Sequence, residues 1–121
     1  MGYRSKVIIG VTYGELSDKF DEVLIKHDFH PIKSTDYLKI HIENDGMKFY
    51  TFDYTKWYSS DEWCKDIMDF LEHTFNTTTT STSTDLSKVF CVGLGEEGEL
   101  HSEVGDYWEF VDVIRNINLI D

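Results

Sequence analysis

Gly93, Gly95 and Gly98 in "VFCVGLGEEGELHSEVGDYWE" stand in G-x-G-x-x-G spacing directly after an apolar run. That spacing serves nucleotides when glycines let the backbone approach a phosphate and a helix N-terminus follows with free amides. Here Glu96 and Glu97 fill the loop, and "ELHSEVG" beyond it has no helical stripe. Two carboxylates would face the phosphate, and no βαβ unit surrounds them. The segment reads as a hairpin turn in which Gly95 and Gly98 supply positive φ angles. No nucleotide or other cofactor is expected.

The same stretch opens an acidic run. Glu96, Glu97, Glu99, Glu103, Asp106, Glu109 and Asp112 fall within seventeen residues, and no Lys or Arg occurs between Lys88 and Arg115. Two readings are open: a solvated edge that resists edge-to-edge aggregation, or a surface for a basic partner. In a regular strand Glu97, Glu99 and Glu103 would project together. The spacing matches no EF-hand or comparable cation loop.

Aromatic residues form a second candidate. Asp45-Gly46 in "DYLKIHIENDGMKFYTFDY" is a two-residue hairpin turn signal. Such a turn pairs Glu43 with Lys48, His41 with Tyr50 and Ile40 with Thr51. Tyr37, Tyr50, Phe52 and Tyr54 then share a face with Lys39, His41 and Lys48. That face is either covered core or an alternative site for a small molecule, a nucleotide or bases. His27 and His30 lie three apart with no evident third ligand, and His41, His73 and His101 are isolated. No metal site is expected, and no catalytic pair can be singled out among so many carboxylates.

These residues need elements to position them. "SKVIIGVTY" is a strand apolar on both faces, which suits a central place in a sheet. "ELSDKFDEVLIKHDF" carries Leu16, Phe20, Val23, Leu24 and His27 as one amphipathic stripe. A hairpin follows over residues 37–54. "SSDEWCKDIMDFLEHTF" is a second helix, with Ser59 and Glu62 as a capping box and Trp63, Ile67, Phe70, Leu71 and Thr74 as its buried stripe. Residues 76–84, "NTTTTSTST", have no apolar residue and read as a flexible loop. "SKVFCVGL" is a strand on which "ELHSEVG" could pair. "YWEFVDVIRNINLI" fits helix or strand: Tyr107, Phe110, Val111, Ile114 and Ile117 make a helical stripe, yet the residue types suit a strand.

The order strand, helix, strand, strand, helix, strand is that of the ferredoxin-like fold, an α+β arrangement with two helices on one face of an antiparallel sheet. A C-terminal β extension completes a single domain over residues 1–121. A chain of 121 residues is one ordinary domain. It has no apolar run of transmembrane length and no signal-peptide pattern, so a cytoplasmic protein is expected. In that setting Cys64 and Cys91 are expected as buried thiols rather than a disulfide. The net charge of −12, from 23 acidic and 11 basic residues, has the wrong sign for direct nucleic-acid binding or an anionic membrane.

"MGYRSKV" resembles the opening M-G-Y-R-S-x-V of a family of small phage-encoded and bacterial proteins. The resemblance continues at "YTKWYSSDEWCKDIMDFLEH" and at the strand-turn-strand of "VFCVGLGEEGELHSEVGDYWEF", where Leu94-Gly95-Glu96-Glu97 lacks the basic residue the family places before its turn. It covers about half the chain. It implies a compact α+β domain, a phage or bacterial cytoplasmic setting and a C-terminal strand, but no reaction. The expected function is that of a non-enzymatic accessory protein. It would bind and modulate or inhibit a host protein through the acidic run, with nucleic-acid charge mimicry as its means. The alternative is a small-ligand binder or hydrolase at the aromatic face. Oligomeric state is not legible.

Overall fold

The computed structural model describes residues 4–29, 38–42, 46–58, 60–79, 89–95, 99–105, 111–113 and 117–119. The chain runs β1 (Ser5–Thr12), α1 (Glu15–Lys26), β2 (Leu38–Ile42), β3 (Met47–Thr55), α2 (Glu62–Thr79), β4 (Val89–Gly95) and β5 (Leu100–Val104), then β6 (Val111–Val113) and β7 (Ile117–Leu119). This is an α+β protein. Its main sheet has five strands in the order β2-β3-β1-β4-β5, and each neighbouring pair is antiparallel. β6 and β7 form a separate antiparallel pair, so the ambiguous C-terminal stretch is strand at these positions.

β1 occupies the middle because both its faces are apolar. Val7, Ile9 and Val11 enter one core, with Tyr50 and Phe52 of β3, Cys91 of β4, Phe20 and Leu24 of α1, and Cys64, Ile67 and Leu71 of α2. Both helices therefore pack on that face. Ile8 joins Met47, Phe49, Phe90 and Val92 in a second core on the opposite face. Residue 10 alternates onto this second face with Ile8 and is glycine because Phe90 leaves no room for a side chain: a Cβ at Gly10 would fall 1.9 Å from the ring. Cys64 and Cys91 are both free and buried, as expected, and burial pushes the Cys64 thiol up to about 12.

Four local expectations change. The β2–β3 register is Leu38↔Phe52, Ile40↔Tyr50 and Ile42↔Lys48, one residue away from that of a two-residue turn at Asp45-Gly46. A slip of one residue sends every side chain of the strand to the other face. α2 begins at Glu62, so Glu62 opens the helix and is not the third residue after a Ser59 cap; Ser59 itself lies outside the described residues. The helix continues through Thr79, so the first part of the 76–84 tract is helical, and residues 80–84 lie outside the described residues. Gly95 is a strand residue absent from the positive-φ set of Gly14, Gly46 and Gly105, and Gly98 lies outside the described residues.

Candidate functional site

The β4–β5 hairpin holds the candidate site. β4 and β5 pair at Leu94↔Leu100, Gly93↔His101 and Cys91↔Val104, with a bulge between the last two. Gly95 N–H donates to the Glu99 carbonyl at 2.9 Å and closes the turn end. Inside the bulge Ser102 has φ 55, a left-handed backbone that a non-glycine residue adopts at a cost of about 1 kcal/mol or more. The bulge interrupts strict alternation, so Glu99 and Glu103 do not share a face by strand periodicity. Both are exposed, Glu103 on the terminal strand of the sheet and Glu99 immediately before it.

Of the seven acids in the expected surface, Glu99 and Glu103 are placed here and Asp112 lies on β6. Glu96, Glu97, Asp106 and Glu109 lie outside the described residues.

The aromatic face is not assembled as expected. Tyr50 and Phe52 are fully buried beneath the helices. Phe20 packs edge-on to Tyr50 at 4.8 Å, and Trp57 and Trp63 lie against Phe52 at 5.5 and 5.8 Å. His41 is exposed, pairs with Phe49 rather than Tyr50, and stacks on that ring at 6.2 Å. Tyr54 lies on β3, and Tyr37 is outside the described residues. The cause is the one-residue register difference, which separates His41 and Lys39 from Tyr50 and Phe52.

Lys48 keeps its place on the Tyr50 and Phe52 face but stands opposite Ile42 and not the expected Glu43, and its side chain is 6% exposed. There it donates to Asp21 Oδ2 of α1 at 2.8 Å. Tyr50 Oη donates to Asp21 Oδ1 at 2.5 Å, and burial, with the Asp21 hydrogen bond, pushes the phenol well above its ordinary range. This triad ties α1 to β3. A second polar link ties the helices together: His27 Nε2 and Lys26 Nζ meet Asp66 Oδ2 at 2.8 and 3.3 Å. The His27 bond, reinforced by Lys26, holds the Asp66 carboxyl below its usual value.

The group that sequence reasoning missed is built around His101. Its Nε2 lies 2.9 Å from Ser5 Oγ and its Nδ1 lies 3.0 Å from Ser102 Oγ. Trp57 Nε1–H donates to the same Ser102 oxygen at 3.0 Å. Gly93 makes the arrangement feasible, since a Cβ there would fall 2.4 Å from the imidazole. A hydroxyl on one imidazole nitrogen with a second group on the other is the outline of a nucleophile and its base. Two features oppose catalysis. Ser5 is 3% exposed. The residue behind the imidazole is a hydroxyl, not the carboxylate that steadies an imidazolium. Burial lowers the His101 pKa from its ordinary value, with Glu99 acting the other way. The group works as a polar clasp between β1, β5 and the segment before α2. Its members are 96 residues apart at Ser5 and His101, so no local spacing could have revealed them.

Among the described residues no three His, Cys, Asp or Glu side chains converge as a metal site. No helix among them is long and apolar enough to cross a membrane. Compared with protein-family models, curated proteins and solved structures, the chain matches none.

Proposed function

We propose that this protein is a non-enzymatic acidic binding protein that engages a basic surface of another protein along its β4–β5 edge. The observation that carries the reading is the exposure of Glu103 on the terminal strand β5 and of Glu99 immediately before it, in a chain of net charge −12. Exposed like charges add little to stability but raise association rates with an oppositely charged partner. The resemblance of "MGYRSKV" to phage-encoded and bacterial proteins sets this in a bacterial cytoplasm. The partner there is a host protein whose basic patch ordinarily holds nucleic acid, and binding modulates or inhibits it. The acidic run 96–112 supplies the imitation of phosphate charge.

The rival reading, a small-ligand or nucleotide site or a hydrolase at the aromatic sheet face, loses support because Tyr50 and Phe52 are fully buried and His41 belongs to the other side of the hairpin. We also read the core as ferredoxin-like, with β5 added beside β4. The element order β-α-β-β-α-β and the adjacency β2-β3-β1-β4 support it.

The test uses immobilised protein to capture partners from a bacterial lysate, followed by kinetics with the purified partner. The association rate should fall steeply as salt rises, and Glu99→Gln with Glu103→Gln should slow it while leaving the fold intact. Duplex DNA should displace the partner. A salt-independent rate unchanged in the double variant would end the charge-based reading.

A further inference from the structure

The His101 clasp has a geometry that makes strand β5 responsive to protons. We propose that neutral His101 is a staple that fastens the terminal strand β5 to the rest of the sheet, and that protonation of its imidazole releases the strand. The ring starts on β5 and lies over Gly93 of β4, where no side chain intervenes. It ends on Ser5 of the central strand β1. Its other nitrogen meets Ser102, which also receives the Trp57 indole. One ring therefore bridges three strands and, through Ser102, the segment leading into α2. β5 needs such a fastening, because it pairs with β4 at three positions interrupted by a bulge and carries a strained Ser102.

Burial of the ring sets the sign, against the nearby charge of Glu99. Just before β5, Glu99 favours the charged imidazole, and on β5 Glu103 is exposed. On the β1 side, Lys6 and Arg4 flank Ser5 in the chain. On β4 the titratable neighbour is Cys91, whose thiol burial keeps it protonated. Lys56 and Tyr58 flank Trp57 in the chain. Burial outweighs Glu99 and holds the folded pKa below 6.5. The opened strand, with its imidazole in water, binds a proton more readily than the closed one. The opening equilibrium of β5 therefore rises as pH falls below 6.5, by up to tenfold per pH unit, until the folded imidazole itself titrates.

Amide hydrogen exchange, corrected for the intrinsic rate at each pH, measures that opening on the full chain. The Trp57 indole N–H and the backbone amides of residues 100–104 are the reporters, and the β1 and β3 amides are the reference. Between pH 7.5 and 5 the reporters should lose protection while the reference stays level, and His101→Gln, which keeps hydrogen-bonding capacity without titrating, should flatten the response. Equal loss of protection in every strand, no loss in β5, or the same pH slope in His101→Gln would overturn the proposal. Should that variant fail to fold, NMR titration of the imidazole in the native protein decides. A pKa below 6.5 supports the staple, and a value at or above it refutes it. Any effect on partner binding rests on the role proposed above for Glu99 and Glu103, and the exchange measurement stands without it.

Discussion

Replacing Asp21 with Ala should be among the most damaging single changes to the fold. The carboxylate meets both Lys48 Nζ at 2.8 Å and Tyr50 Oη at 2.5 Å. The Lys48 side chain is 6% exposed and Asp21 15%, so neither charge has ready access to water. Removing one partner of a buried pair leaves the other uncompensated, at a cost of about 3–5 kcal/mol. The unsatisfied phenol contributes within that range and is not added to it. Against a total stability of about 5–15 kcal/mol, this is about a fifth or more. It corresponds to a fall in Tm of about 10–20 °C for a domain of this size. Lys48→Met should cost less, about 1–2 kcal/mol, because Asp21 keeps its Tyr50 bond and the more accessible position. The double variant has no buried charge and should be more stable than Asp21→Ala alone, which gives a coupling of about 2 kcal/mol or more. Urea unfolding followed by tryptophan fluorescence suits the assay, since Trp57 and Trp63 pack on each other at 5.2 Å within the same core. Additive single effects, within about 0.5 kcal/mol, would refute the inward placement of Lys48.

Gly10→Ala should destabilise by about 1–3 kcal/mol through overpacking against the buried Phe90 ring; unchanged urea unfolding would mean that the ring moves aside freely. Asp66 gives an acid-side signature. Its folded pKa is depressed below 3.8, so its contribution is complete above 3.8 and is lost as pH falls through the folded value. The stability gap between wild type and Asp66→Asn should therefore narrow below 3.8, and a gap that widens on acidification would reverse the assigned sign. Calorimetric titration with NAD, ATP or GTP should show no saturable binding, and a micromolar affinity abolished at Gly95 would restore the nucleotide reading of the glycine spacing.

Much of the fold was legible because it follows from period and composition. β1 is apolar on both faces and lies in the middle of the sheet. The expected stripe of α2 holds at Ile67 and Leu71, which are fully buried, and at Trp63 and Phe70, which pack against the core. The register of β2 and β3 was not legible from the turn. Gly46 has φ 97. A glycine with positive φ serves the second position of a two-residue turn and equally the last position of a three-residue one. The dipeptide cannot choose between pairings that differ by one residue. The apolar pattern could have chosen: Leu38 and Ile40 stand opposite Phe52 and Tyr50, uniting four apolar or aromatic residues on one face. What concealed this was Lys48, a charged residue that shares the face and that a two-residue turn pairs with Glu43. Its partner Asp21 is 27 residues away and belongs to another element.

The candidate site divides along the same line. An acid's role depends on which cation the fold brings to it. Asp21 and Asp66 sit on helices, and each anchors a lysine, with Tyr50 or His27 completing the set. Those pairs are long-range and could not be read from local spacing. The run from Glu96 to Asp112 differs because the sequence places no Lys or Arg within it. Any offsetting charge must come from another segment or from another molecule. Glu103 is exposed on the last strand of the sheet and Glu99 just before it, where a partner can reach them. The strand that presents them is also held by His101, a neutral side chain half-buried between two hydroxyls. A histidine that looked isolated in the sequence thus joins the strand that carries Glu103 to the centre of the sheet.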